Sequence, residues 1–244
     1  MERQLQRLTS PRVAQLVPSS IDVIILPVGT VEAHGAACLG TDNVIPEALA
    51  LRVADRINGL VAPTVSYGIT RSLYRYPGGI TLKPDTYASL VRDILSSLSD
   101  IGFKHVFIIN GHGGNNAALK ETAANFHAEH KSNIAVIHWW ELCQTLTEEF
   151  FGHAGGHAGT DETAMAMAID PRLVEPEIYT PDMAYQVRAG ADVYPIPGTI
   201  ILYKPGEGYP EFDLTKSREY FERVASAVGE FAELVLARWR AAGL

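Results

Sequence analysis

The strongest constraint on the fold is a repeated pattern in which a short apolar run ends in side chains able to bind a metal. Residues 23–29 read Val-Ile-Ile-Leu-Pro-Val-Gly, too short for a stable helix and too apolar for a surface loop, and therefore a buried strand. Glu32, His34, Cys38 and Asp42 follow at once. The pattern returns at 106–109, an apolar run that leads into Asn110-Gly111-His112-Gly113-Gly114-Asn115. Further strands are expected at 60–65 and 134–138. Alternation of strands with helices predicts a mostly parallel sheet covered on both faces. In such sheets sites form beyond the carboxyl ends of the strands, which is where these residues fall.

The helical segments are legible from spacing. Thr9-Ser10-Pro11 opens a short helix over 9–16. Apolar spacing predicts a helix over 47–57, closed by Asn58-Gly59, with Asp42 at its entrance. Over 84–101, Leu90, Val91, Ile94, Leu95 and Leu98 share one face and Gly102 stops the helix. Helices are also expected over 116–128 and 214–242. Residues 66–83 read as a long loop, a length that often goes with function. Residues 171–212 read as irregular structure with one or two short strands near 199–203.

The 244 residues, 47% hydrophobic and 20% charged, fit one globular domain over 1–244. A net charge of −8 leaves no basic footprint for a nucleic acid or an anionic membrane and favours a small-molecule partner. Residues 1–20 lack the apolar core of a signal peptide and no later run is long enough to span a bilayer, so a cytoplasmic location is expected. Two cysteines are too few for a disulfide framework.

Glu32 and His34 lie two apart, so an extended segment turns both side chains to one side, and Asp42 can return to them after a Gly-containing turn. Carboxylate and imidazole together suit zinc, manganese or iron(II). A purely structural reading, with a helix-capping Asp42, a core His34 and an ion-paired Glu32, stands beside it. His112 adds a second imidazole at the same sheet edge. Its Gly-rich surroundings also resemble a phosphate cradle, but the Lys and Ser/Thr of a P-loop are missing. Asp161 and Glu162 lie near a helix start, where both could simply complement the dipole; that reading is less comfortable for Glu162 and for His157 just ahead of it. Cys38 reads as a small buried residue rather than a ligand. Trp139 and Trp140 are core residues or pocket walls.

Taken together, Pro27-Val28-Gly29-Thr30-Val31-Glu32-Ala33-His34-Gly35, Thr41-Asp42, Tyr76-Pro77-Gly78-Gly79, Gly102-Phe103, Asn110 to Asn115 and His157-Ala158-Gly159 with Glu162-Thr163 resemble the creatininase (creatinine amidohydrolase) family. The resemblance runs over residues 20–170. It implies a three-layer α/β/α fold, a site with two divalent metal ions (zinc, with manganese or iron as alternatives) and a homo-oligomer, a hexamer in many members. By position, Glu32 and His112 hold one ion, His34 belongs to the other, Asp42 bridges both, Glu162 adds a carboxylate at the metals and His157 moves protons. Two departures separate the chain from creatininase itself. Gly114 replaces a glutamate two residues after the strand-end histidine, and the stretch between Glu32 and Asp42 is one residue shorter and reads Ala36-Ala37-Cys38-Leu39.

The expected activity is therefore hydrolysis of a non-peptide or cyclic C–N amide bond, a lactam or a formamide, by water activated between ions roughly 3.5 Å apart. Tyr76 and Trp140 are the candidates for contacting the substrate, with Tyr74 and Arg75 on the same loop as Tyr76. A non-catalytic metal-binding or assembly subunit and a metal-dependent lyase or phosphoesterase are the alternatives.

Overall fold

The computed structural model describes residues 1–244. Helix α1 (Ser10–Leu16) precedes strand β1 (Val23–Val28), helix α2 (Thr41–Arg56) and strand β2 (Leu60–Val61). Helix α3 (Pro84–Ile101), strand β3 (His105–Asn110), helix α4 (Asn116–His130) and strand β4 (Asn133–His138) follow. Helices α5 (Trp139–Leu142), α6 (Gln144–Phe151) and α7 (Thr160–Ile169), strands β5 (Ala184–Gln186) and β6 (Ile200–Leu202), and helix α8 (Leu214–Ala241) complete the chain.

The main sheet has the order β2-β1-β3-β4 and every pairing is parallel. Because side chains alternate along a strand, each strand feeds two cores. Val23, Ile25, Phe107, Ile109 and Ile137 pack with α2, α7 and α8 on one face. Ile24, Leu26, Val28, Val106 and Ile108 pack with α1, α3 and α4 on the other. The result is the expected three-layer sandwich. Burial on both faces explains why β1 and β3 read as unbroken apolar runs.

Register brings the strand ends into line. Val28 pairs with Asn110, and Asn110 with His138, so the segments leaving β1, β3 and β4 emerge side by side. The structure differs from the expected elements in three places. Strand β2 ends at Val61 instead of 65: Ala62 N still donates to the Ile25 carbonyl, but the next bond of the ladder would need an N–H from Pro27 in β1, which has none; Val65 makes only an isolated bridge to Val28. Helix α2 begins at Thr41 and runs through Pro46. Pro46 has no N–H to give to the Asp42 carbonyl four residues earlier, and that carbonyl lies so close to Gly111 that a Cβ there would be 2.1 Å away. The start of α2 is thereby seated against the end of β3. Finally, β6 pairs in parallel with β5 in a separate two-stranded sheet, a partner that spacing does not reveal.

Candidate metal centre

Four chain segments deliver six polar side chains to the carboxyl edge of the sheet. Glu32 and His34 follow β1, Asp42 lies in the first turn of α2, and His112 follows β3. His157 precedes α7, whose first turn carries Glu162. All six are buried or nearly so, and Glu32, His34 and Asp42 are only 1–3% exposed.

Each imidazole is oriented by a backbone carbonyl. His34 Nδ1 donates to the Glu32 carbonyl (3.0 Å), His112 Nε2 to the Ile69 carbonyl (3.0 Å) and His157 Nε2 to the Ala33 carbonyl (2.8 Å). A carbonyl only accepts, so these nitrogens carry the ring protons. The other nitrogen of each ring faces the carboxylates. His34 Nε2 is 2.9 Å from Asp42 Oδ1 and 3.7 Å from Glu162 Oε2. His112 Nδ1 is 2.9 Å from Asp42 Oδ2 and 3.3 Å from Glu32 Oε1. His157 Nδ1 is 3.5 Å from Glu32 Oε1 and 4.0 Å from Glu162 Oε2.

Ligand atoms within 4.8 Å of one another form three overlapping sets: Glu32, Asp42 and His112; His34, Asp42 and Glu162; and Glu32, His34 and His157. The donors fit divalent cations. A neutral imidazole lone pair set against a carboxylate oxygen is repulsive unless a proton or a cation lies between them. Asp42 Oδ2 is buried with no aligned hydrogen-bond donor, although His112 Nδ1 is close. Imidazoles held through the second ring nitrogen by a backbone carbonyl are also the usual arrangement of metal-binding histidines.

The electrostatics describe the same cluster with protons in place of metal. Burial opposes the charge on His34, but Asp42, Glu162 and Glu32 outweigh it and raise the pKa to about 10. Burial is likewise outweighed at His112 by Glu32 and Asp42, which raise it to about 9. Burial alone would raise Asp42, yet His34 and His112 hold it below the ordinary carboxylate range. Burial, reinforced by Asp42, pushes Glu162 well above that range. At His157, burial and the neighbouring His34 charge lower the pKa to about 3, so this ring is neutral at ordinary pH.

Other polar groups hold these side chains in place. Asn110 accepts from the His112 amide (3.1 Å) and donates to the His112 carbonyl (2.8 Å). Asn115 accepts from the Ile69 amide (3.0 Å), which fixes the segment whose carbonyl orients His112. The Ala158 amide donates to Glu162 Oε2 (2.6 Å) from a left-handed backbone, φ 53°. That conformation is uncommon for alanine, and it aims the amide at Glu162. Sequence reasoning assigned no role to Asn110, Asn115 or Ala158, although the first two bracket the Gly/His motif.

The cluster lies where two cavities meet. One, of about 440 Å³, is bordered by Trp140, Gln144, His157, Tyr203 and Lys204. The other, of about 700 Å³, lies on the α3/α4 side and includes Arg71, Arg92, Tyr185 and Tyr194. Glu32, Ser72, His112 and Gly114 border both. Trp140 is therefore at the site. Tyr76, expected to touch the substrate, borders neither cavity; its hydroxyl donates to the Ile196 carbonyl (2.8 Å) and ties down the segment that closes the larger one.

The chain is similar to known proteins over most of its length. It is 29% identical over 172 residues to a creatinine amidohydrolase of Pseudomonas putida, covering 63% of this chain and 66% of that protein. It is 31% identical over 170 residues to a mycofactocin precursor peptide peptidase of Mycobacterium ulcerans, covering 65% and 62%. These curated relatives are thus matched over slightly less than two thirds of their own lengths. A crystal structure of creatinine amidohydrolase superposes with a TM-score of 0.80 at 25% identity, over 98% of both chains. With residues 6–211 matching the family described as creatinine amidohydrolase, the chain belongs to the creatininase family.

Proposed function

We propose that this protein is a metal-dependent amidohydrolase that cleaves a non-peptide or cyclic C–N amide bond, a lactam or a formamide. The observation that carries the reading is the common orientation of three imidazoles. Each gives one nitrogen to a backbone carbonyl and turns the other to two of three shared carboxylates, Glu32, Asp42 and Glu162. Glu32, Asp42 and His112 would hold one divalent ion, His34, Asp42 and Glu162 the other, with Asp42 common to both. Zinc suits these mixed nitrogen and oxygen donors, as do manganese and iron(II). Bound there, the ions would acidify water and polarise an amide carbonyl.

The protein's own groups do the rest. His157, neutral and with Nε2 committed to the Ala33 carbonyl, presents Nδ1 as a proton acceptor towards Glu32 and Glu162. After burial, the His34 charge is the next cause of its lowered pKa. With the His34 proton displaced, His157 takes the proton of the attacking water and returns it to the leaving nitrogen, work suited to an imidazole whose pKa lies nearer neutrality. The Asn110 bonds on both sides of the His112 peptide and the Ile69 carbonyl keep the His112 ring from turning. Trp140 walls the smaller cavity and limits what can sit beside His157.

The reading extends to one catalytic domain that works in the cytoplasm as a homo-oligomer, a hexamer by the family resemblance. Both cysteines are unpaired, in keeping with a reducing compartment, and no helix is long and apolar enough to cross a membrane. The test is a panel of formamides and lactams assayed with chelated protein before and after zinc, manganese or iron(II) is restored. Metal-dependent release of a carboxylate product supports the reading; no turnover with any ion on any member counts against it.

A further inference from the structure

The larger cavity borders Glu32 and His112, yet the chemistry above makes no use of its remaining walls. It lies against α3 and α4 and is closed by the segment 185–196, and the metal cluster meets it at Gly114. No side chain stands there between His112 and the cavity, and a Cβ at Gly114 would come within 2.4 Å of His112 Nε2. Two arginines line the cavity. Arg92 is engaged by Glu129. Arg71 is exposed at the cavity and has neither a hydrogen bond nor an ion pair, although Asp85, Glu121 and Asp192 border the same cavity. A guanidinium that lines a cavity next to a hydrolytic centre, with none of the nearby acids taking it up, is a free fork for a planar anion.

We propose that the larger cavity receives one arm of the substrate and that Arg71 binds a carboxylate on that arm. The bond to be cleaved then lies at the metal cluster, between a carboxylate-bearing arm on the Arg71 side and a smaller group on the Trp140 side. A singly charged carboxylate fits better than a phosphate, because the cavity with one free guanidinium is also bordered by three acidic side chains, which would repel a second negative charge. The inference rests on the hydrolase reading for the position of the scissile bond, but the subsite itself is defined by binding.

The test is calorimetric titration of metal-loaded protein with two matched series, glutarate and adipate against butyrate and pentanoate. One carboxylate of each can occupy the metal cluster, and only the diacids have a second for Arg71. The better-fitting diacid is expected to bind at least tenfold tighter than its monoacid. Arg71→Gln should remove that difference while the metal content, measured by elemental analysis, stays the same. Equal binding of diacid and monoacid, or a preference that survives Arg71→Gln, overturns the proposal. A larger loss of affinity on Arg71→Gln for propane-1,3-diphosphonate, which has a phosphonate at each end, than for glutarate overturns the choice of carboxylate. Diacid selectivity through Arg71 in a protein that hydrolyses no amide would refute the hydrolase reading and leave the subsite. Hydrolysis without that selectivity would do the reverse.

Discussion

His34 Nε2 and Asp42 Oδ1 stand 2.9 Å apart with both side chains almost wholly out of solvent. Without metal, a proton fills that gap and the one between His112 and Asp42. The raised pKa values, about 10 and about 9, place both protons there at neutral pH. A metal ion bound at either nitrogen must displace the proton. Loading at pH 7 should release at least two protons per chain, one from each histidine and more if Glu162, itself held above its ordinary range, gives one up, read from the dependence of the binding enthalpy on buffer ionisation. Affinity should rise with pH up to about 9, since each displaced proton contributes roughly tenfold per pH unit. Affinity that is flat between pH 6 and 8 would mean that these nitrogens are not the ligands.

The same shifts fix a sign for stability. Both histidines have folded-state pKa values above the ordinary 6.5. Their contribution to the stability of the metal-free protein is therefore fully present below about pH 6.5 and is lost as pH rises through about 9 and about 10. Chelated protein should melt progressively lower between pH 8 and 10, whereas loaded protein, with metal in place of the protons, should change less. Parallel loss in both forms would place the titration elsewhere.

Asp42 and His157 should separate metal binding from proton transfer. Asp42 belongs to two of the three ligand sets, so Asp42→Ala should lose most of the bound metal and the activity with it. His157 is held by one backbone carbonyl and lies farther from the carboxylates. His157→Ala should keep its metal and lose roughly 10²–10⁴-fold in turnover. Two equivalents of metal and full activity in Asp42→Ala would remove it from the site, and unchanged turnover in His157→Ala would remove the proton-transfer role.

At Gly114 there is no room for a side chain. An added Cβ would lie 2.1 Å from the Ile69 carbonyl and 2.4 Å from His112 Nε2, the two atoms whose hydrogen bond orients the ring. Gly114→Ala should push them apart, lower the metal content by about one ion per chain and cost roughly 1–3 kcal/mol of stability through overpacking. Elemental analysis with thermal melts reads both. Wild-type metal content would show that the Ile69 bond does not hold His112 for the ion.

What was legible in the chain and what was not divide along a physical line. Strands β1 and β3 are buried on both faces, so their apolar composition announces them, and the polar residues after them fall at one sheet edge because parallel strands align their ends. Glu32, His34, Asp42 and His112 could be gathered on that basis alone. The bonds that orient them could not, because Ile69 and Ala33 contribute backbone carbonyls, which any residue supplies. Arg71 left no trace either: an unpaired arginine in a loop reads like any solvated charge until the cavity beside it is seen. Pro27 and Pro46 show that one residue type interrupts a ladder and is tolerated in a helix, according to which N–H is needed.

Tyr76 illustrates the same limit and yields the last prediction. Its motif marks it as a site residue, but its partner, the Ile196 carbonyl, is 120 positions away in the sequence. The hydroxyl holds segment 185–196 against the loop at 66–83, and that segment closes the larger cavity. Tyr76→Phe keeps the ring and removes one hydrogen bond, a loss of about 1 kcal/mol. Hydrogen exchange should accelerate in residues 185–196 and stay unchanged in β1 and β3, with metal content intact. If the cavity receives substrate, KM should rise while kcat is nearly kept, because the segment contributes to binding and not to the bond-breaking step. A fall in kcat at constant KM, with exchange in 185–196 unaltered, would instead return Tyr76 to direct contact with the reacting group.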